Sequence, residues 1–190
     1  MMRILFLVFA AVTATCISSF AQESGTKKPP VVVMETNMGV MEITLNPEKA
    51  PVTVRNFLSY AKEGFYDSTL FHRVMSGFMI QGGGHVLGMA EKATKPPIKN
   101  EATNGLLNKR GTIAMARRNE INSATSQFFI NHVDNPSLDH KDDTPMGFGY
   151  AVFGEVTKGI EVVDRIAEVP TGTQDVPVQP VVILSVKMKK

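Results

Sequence analysis

Between Phe71 and Gly84 the chain reads FHRVMSGFMIQGGG, and this run holds the residues best suited to chemistry. It supplies one guanidinium, Arg73, and one primary amide, Gln81, beside apolar Phe78, Met79 and Ile80. A guanidinium stays charged throughout the working pH range and presents its donors in a rigid fork. An apolar floor beside one fixed cation and one amide suits a small ligand that is mostly hydrocarbon and bears a carbonyl. A second run, GTIAMARRNEINSATSQFFIN from Gly111 to Asn131, supplies the opposite wall through Ala116 and Phe129, with Leu138 beyond it. Taken singly, each residue has an ordinary explanation: Arg73 as the partner of a surface carboxylate, Phe78, Met79 and Phe129 as core. The whole ordered set is what points to a site.

Other chemistries lack their usual residues. His72, His85, His132 and His140 show no close pairing on a helix, and neither H-E-x-x-H nor cysteine-rich spacing accompanies them, so no metal site is expected. No serine lies in G-x-S-x-G, and no Gly-Lys-Ser/Thr follows the glycines of QGGGHVLG. Covalent hydrolysis and nucleotide binding therefore have no support.

The elements that position these residues follow from periodicity. Val31 to Leu45, VVVMETNMGVMEITL, alternates on both sides of Asn37-Met38-Gly39 and predicts a β-hairpin. Ala50, Val54, Phe57, Leu58 and Ala61 share one helical stripe, with Pro51 in a first turn and Gly64 as terminator. Strand-like pieces then recur at 70–74, 78–81, 112–116, 127–131, 150–153 and 181–187, and a second helix is expected within 158–168. About eight short strands and two helices argue for a mainly β protein, a closed antiparallel barrel whose ends the helices plug. Strict alternation would point Phe71 and Arg73 one way and His72 and Val74 the other, with Met79 and Gln81 sharing a side.

Composition bounds the rest. With 190 residues, 43% of them hydrophobic, the chain can bury a core as one domain. A formal charge of +2 gives no reason to expect nucleic acid or an acidic membrane. The leader has Arg3, an apolar stretch from Ile4 to Ile17, and Ser19-Phe20-Ala21 at its end. That order predicts a signal peptide over 1–21, cleaved after Ala21, and export to a bacterial periplasm, with secretion as the alternative. The apolar stretch is too short for stable membrane insertion, which needs about 20 residues. Thr15 fits poorly before a lipidated cysteine, so Cys16, the sole cysteine, is not expected to carry lipid. Residues 22–30 form a polar tether ending in Pro29-Pro30 and are expected to be disordered, leaving 31–190 as the folded domain. No apolar stripe is left over for self-association, so a monomer is expected.

FHRV…GFMIQGG, GTIAMAR…NSATSQFFIN and SLDHK…GYAVFGEV, in that order, resemble the signature regions of the cyclophilin family, over essentially Val31 to Lys190. The resemblance implies an eight-stranded antiparallel barrel capped by two helices, no cofactor, and cis/trans isomerisation of X-Pro bonds in unfolded or flexible polypeptides. It further implies that Arg73 is the catalytic arginine and that Gln81 holds the substrate backbone. Phe78, Met79, Phe129 and Leu138 would form the proline pocket, while Ala116 and Arg117 would line the groove. Tyr150 stands at the rim where many members have histidine, Ser137 where many have tryptophan, and Arg117 where asparagine is common. With serine at 137, only weak binding of the cyclic peptide cyclosporin is expected.

Those residue types meet the demands of the reaction. Amide resonance opposes rotation by roughly 18–20 kcal/mol. Twisting localises a lone pair on the prolyl nitrogen, and a fixed cation favours that state over either planar one. The rival expectation is a chaperone or binding module that holds Pro-containing segments without turning them over. A pure binder would have little need of Arg73.

Overall fold

The computed structural model describes residues 28–190; the leader and residues 22–27 of the tether lie outside them. Val31–Thr36 (β1) and Gly39–Leu45 (β2) form the expected hairpin across a two-residue turn, Asn37-Met38. Gly39 sits at φ +136°, a conformation that L side chains rarely adopt, and an added Cβ would come within 2.9 Å of Val162 and Arg165. Behind the hairpin, the carbonyl of Pro30 accepts a bond from the Leu45 amide at 2.8 Å.

The apolar stripe of the next segment becomes the helix Pro51–Lys62 (α1), with Pro51 in its first turn. Ala50 supplies no side-chain cap. The Glu101 carboxylate does so from across the sequence, accepting the amides of Val52 (3.1 Å) and Thr53 (2.8 Å) and the Thr53 hydroxyl (2.7 Å). The buried face, with Val54, Phe57, Tyr60 and Ala61, closes one end of the barrel.

Six further strands complete it: Thr69–Met75 (β3), Met79–Gly82 (β4), Thr112–Met115 (β5), Phe128–Asn131 (β6), Val152–Lys158 (β7) and Val182–Met188 (β8). All pairings are antiparallel, and the order β1-β2-β7-β5-β6-β4-β3-β8 closes on itself. Closure leaves no strand edge to pair with another chain. The second helix, Ile160–Ala167 (α2), buries Val162, Val163, Ile166 and Ala167. The strand expected at 150–153 begins two residues later and continues to Lys158, so Tyr150 stands just ahead of β7. Among the described residues, no helix is long and apolar enough to cross a membrane.

One expectation is overturned. Phe71 and Val74 both enter the barrel core, whereas Arg73 faces outward and is partly exposed. Phe71 pairs with Gly82 and Arg73 with the adjacent Gln81, so His72 is the extra residue of a β-bulge. A bulge interrupts the two-residue period and re-aims the next side chain. Here it turns Arg73 away from the side that Phe71 occupies.

Candidate functional site

The barrel register places five residues in one row across the outer side of the sheet. Val152 (β7) pairs with Ala114 (β5), Ala114 with Phe129 (β6), Phe129 with Gln81 (β4), and Gln81 with Arg73 (β3). Adjacent strands lie about 4.8 Å apart, so Arg73 stands two strand spacings, about 10 Å, from the Phe129 backbone. Alternation within each strand sorts the two sides: Ile113, Phe128, Ile130 and Ile80 go to the barrel core, while Ala114, Phe129 and Met79 form a separate outer cluster. Phe78, Ala116, Leu138 and Tyr150 pack onto that cluster. The structure thus brings together Phe78, Met79, Ala116, Phe129, Leu138 and Tyr150, with the cation and the amide along one side; Ile80, read from the sequence as part of the same floor, instead faces the barrel core, because adjacent strand residues point to opposite sides.

Loops complete the platform through buried amides. Asn135 donates to the Phe78 carbonyl (2.9 Å) and to Asn131 Oδ1 (2.7 Å), and Asn131 donates in turn to Asn108 Oδ1 (3.2 Å). Asp139 Oδ1 accepts the Asn108 backbone and side-chain amides at 2.7 and 3.0 Å. This chain of bonds fixes the turn containing Leu138, whose carbonyl accepts the Tyr150 amide at 3.0 Å. Gly149 permits that approach: at φ +76°, its Cβ position would lie 2.6 Å from the His140 nitrogen. The Tyr150 ring then meets Phe129 edge-on, with centroids 5.5 Å apart.

Arg117 acts mainly as a strut. Its guanidinium donates to the carbonyls of Gly149 (3.0 Å), Arg118 (3.0 Å) and Pro145 (2.7 Å), and lies 4.9 Å from the Tyr150 ring centroid. With those donors engaged, its contribution to the groove is shape and backbone. Ala116 and Arg117 wall a cleft of about 690 Å³ that also reaches Gln81, Gly84, Thr125 and Gln127.

Two polar partners were not foreseen. Gln81 Nε2 donates to Gln127 Oε1 at 2.9 Å, fixing the orientation of the amide beside Phe129. Gln127 precedes Phe129 by two residues, so the strand period alone could have placed it on the same side. Arg73 Nε donates to Asp175 Oδ2 at 3.2 Å. That carboxylate is 102 positions away in sequence, and no local pattern marks it. Among the described residues there is no group of three side chains able to hold a metal ion.

Beside Arg73, the buried His72 imidazole lies against the partly buried ring of His85. The His72 and His85 ring centroids are 4.1 Å apart, and Nδ1 of each has no hydrogen-bond partner among the described residues. Burial first, and His85 second, lower the His72 pKa to about 4. His72 is therefore neutral in the fold, whereas an unfolded histidine titrates near 6.5. The unfolded chain takes up this proton first, so the contribution to stability is complete above about pH 6.5 and is lost progressively as pH falls toward 4. The expected loss is about 3 kcal/mol. Urea midpoints between pH 7 and 4 check this: His72→Gln should flatten the profile, and a profile parallel to wild type would overturn the assignment.

A closed eight-stranded antiparallel barrel with two helices is the cyclophilin class of fold. A family model described as "Cyclophilin type peptidyl-prolyl cis-trans isomerase/CLD" matches residues 31–188. The chain belongs to that family, and isomerisation of X-Pro peptide bonds is its activity. It is similar to peptidyl-prolyl cis-trans isomerase A of Dickeya dadantii, at 50% identity over 188 residues and 97% of each chain. Similarity to peptidyl-prolyl cis-trans isomerase B of Escherichia coli is 54% over 164 residues, 84% of this chain and 100% of that one. Among solved structures, a Cryptosporidium parvum cyclophilin type isomerase in the presence of the dipeptide Ala-Pro superposes with TM-score 0.71 at 25% identity, covering 84% of this chain and 99% of that one.

Proposed function

We propose that this isomerase acts on exported proteins as they fold, after removal of residues 1–21, and that Arg73 stabilises the twisted amide. The observation that carries the mechanistic part is the direct pairing of Arg73 with Gln81 along the side of the Met79–Phe129 platform. The proline ring rests on Phe78, Met79, Phe129 and Leu138, with Tyr150 at the rim. Gln81, oriented by Gln127, holds a backbone group of the substrate. The guanidinium, bound to Asp175 only through Nε, keeps both Nη groups for the prolyl nitrogen or the turning carbonyl. No proton is transferred, because the arginine stays charged throughout. The leader read from Arg3 to Ala21 supports export to the periplasm, and the chain works as a monomer.

The test is refolding of an unfolded exported protein limited by a slow proline phase. The mature chain should accelerate that phase and folded Arg73→Ala should do so at least about tenfold less at equal concentration; equal acceleration by both would overturn the catalytic assignment.

At the rim, Ser137 is exposed on the Pro136–Leu138 turn and offers little apolar area to a large ligand. Weak inhibition by cyclosporin follows. Ser137→Trp is expected to tighten cyclosporin binding on the order of tenfold, because an indole restores part of the apolar contact. Turnover of a short Pro-peptide should change little, since the ring platform is untouched. Titration calorimetry checks the first effect, and no gain in affinity would show that position 137 does not reach the inhibitor.

A further inference from the structure

We infer that Asp175 is a positioning residue for the isomerase reaction, a carboxylate that the loop before β8 presents to fix the Arg73 guanidinium. This inference rests on the assignment of Arg73 as the group that stabilises the twisted amide.

Gln174 and Asp175, both L residues with side chains, adopt φ +60° in succession. That region is sparsely populated by residues other than glycine, and it persists only where the surroundings hold it. The surroundings here are firm. Thr171 bridges Pro177 in antiparallel fashion, the Gly172 amide donates to Val176 O at 2.8 Å, the Val178 amide donates to Pro170 O at 2.9 Å, and Pro177 is buried. The outcome is a tight turn, Thr173–Asp175, that places Asp175 Oδ2 3.2 Å from Arg73 Nε.

Stability is a poor explanation for this arrangement. The Arg73 and Asp175 side chains are 43% and 40% exposed, and an ion pair that wet contributes little to folding. Geometry explains it better. An arginine side chain has four rotatable bonds, and the bulge at His72 orients only the first of them. Occupying Nε from outside sets the plane of the guanidinium and leaves both Nη groups without a hydrogen-bond partner among the described residues, so that a substrate amide can meet them. The gain is preorganisation: a cation already aimed acts in the twisted state without first being ordered.

Asp175→Gly removes the carboxylate and suits the positive φ, so the variant should fold. It is expected to lower kcat for a short Pro-peptide about threefold to tenfold while KM moves less than about twofold, as for an interaction used mainly in the transition state. Asp175→Asn keeps an oxygen acceptor for Nε and should recover most of the loss. The same two substitutions in an Arg73→Ala background should have no effect on kcat. Exchange spectroscopy with enzyme at high concentration reads all of these, and thermal melts report folding in parallel. Unchanged kcat in folded Asp175→Gly, or an equal loss with and without Arg73, would overturn the inference. If Arg73→Ala alone leaves kcat unchanged, it is the arginine assignment that fails; if that variant loses turnover and Asp175→Gly does not, only the role of Asp175 fails.

Discussion

Arg73→Ala is expected to lower kcat/KM for a Pro-peptide by at least about tenfold and toward a hundredfold, with the fold intact. The lower bound corresponds to about 1.4 kcal/mol of lost transition-state stabilisation. The upper figure is the cost of removing a single preorganised donor from a site where charge develops. The loss should fall on kcat more than on KM, because the apolar platform of Met79, Phe129 and Leu138 remains to hold the ring. Arg73→Lys should recover only part of the activity: an ammonium keeps the charge but loses the fork that binds Asp175 with one nitrogen and leaves two for substrate. Little stability is at stake, since the side chain is 43% exposed. A protease-coupled assay or exchange spectroscopy measures the ratio. Wild-type turnover in folded Arg73→Ala would remove arginine from the mechanism.

Phe57→Ala is expected to produce the largest loss of stability, about 3–5 kcal/mol. Phe57 is fully buried on α1, where the helix closes the barrel, and its ring centroid lies 5.1 Å from Tyr66, 5.2 Å from Phe153 and 5.7 Å from Phe128. Deleting it removes the shared centre of an aromatic cluster whose members sit on different elements, so collapse around the void is limited. Against a usual total of about 5–15 kcal/mol, such a loss is severe. For a domain of this size it translates into roughly 6–20 °C in Tm. Activity below the melting transition should persist but weaken, because Phe128 packs on Phe57 while its neighbour Phe129 belongs to the outer apolar platform proposed to hold the proline ring. Urea denaturation gives the free energy, and a loss below about 1 kcal/mol would show that the cluster can close over the gap.

How much of this molecule could be read in one dimension depended on the range of each interaction. The hairpin, the stripe of α1 and the inward residues of β4, β5 and β6 follow from periods of two and 3.6, because burial of one face imprints itself on neighbouring residues. That Met79 and Gln81 share a side follows from the same period, whereas Phe78, Ala116 and Phe129 were marked by residue type and by the resemblance to the cyclophilin signature regions. Local pattern failed where a long-range pairing overrode it. The bulge at His72 exists because β3 and β4 differ by one residue in their pairing, and it reversed the expected side of Arg73 relative to Phe71. The partners that complete the site's polar groups show the same limit. Glu101 caps α1 from 48 positions away, His85 reaches His72, and Asp175 reaches Arg73 across 102 positions. The sequence by itself determined the candidate apolar residues, the arginine and the glutamine, since their types and local spacing are covalent facts, but not their partners Gln127 and Asp175. Only the tertiary structure decided which way Arg73 points and what holds it, because closing the barrel sets strand registers that no single segment contains.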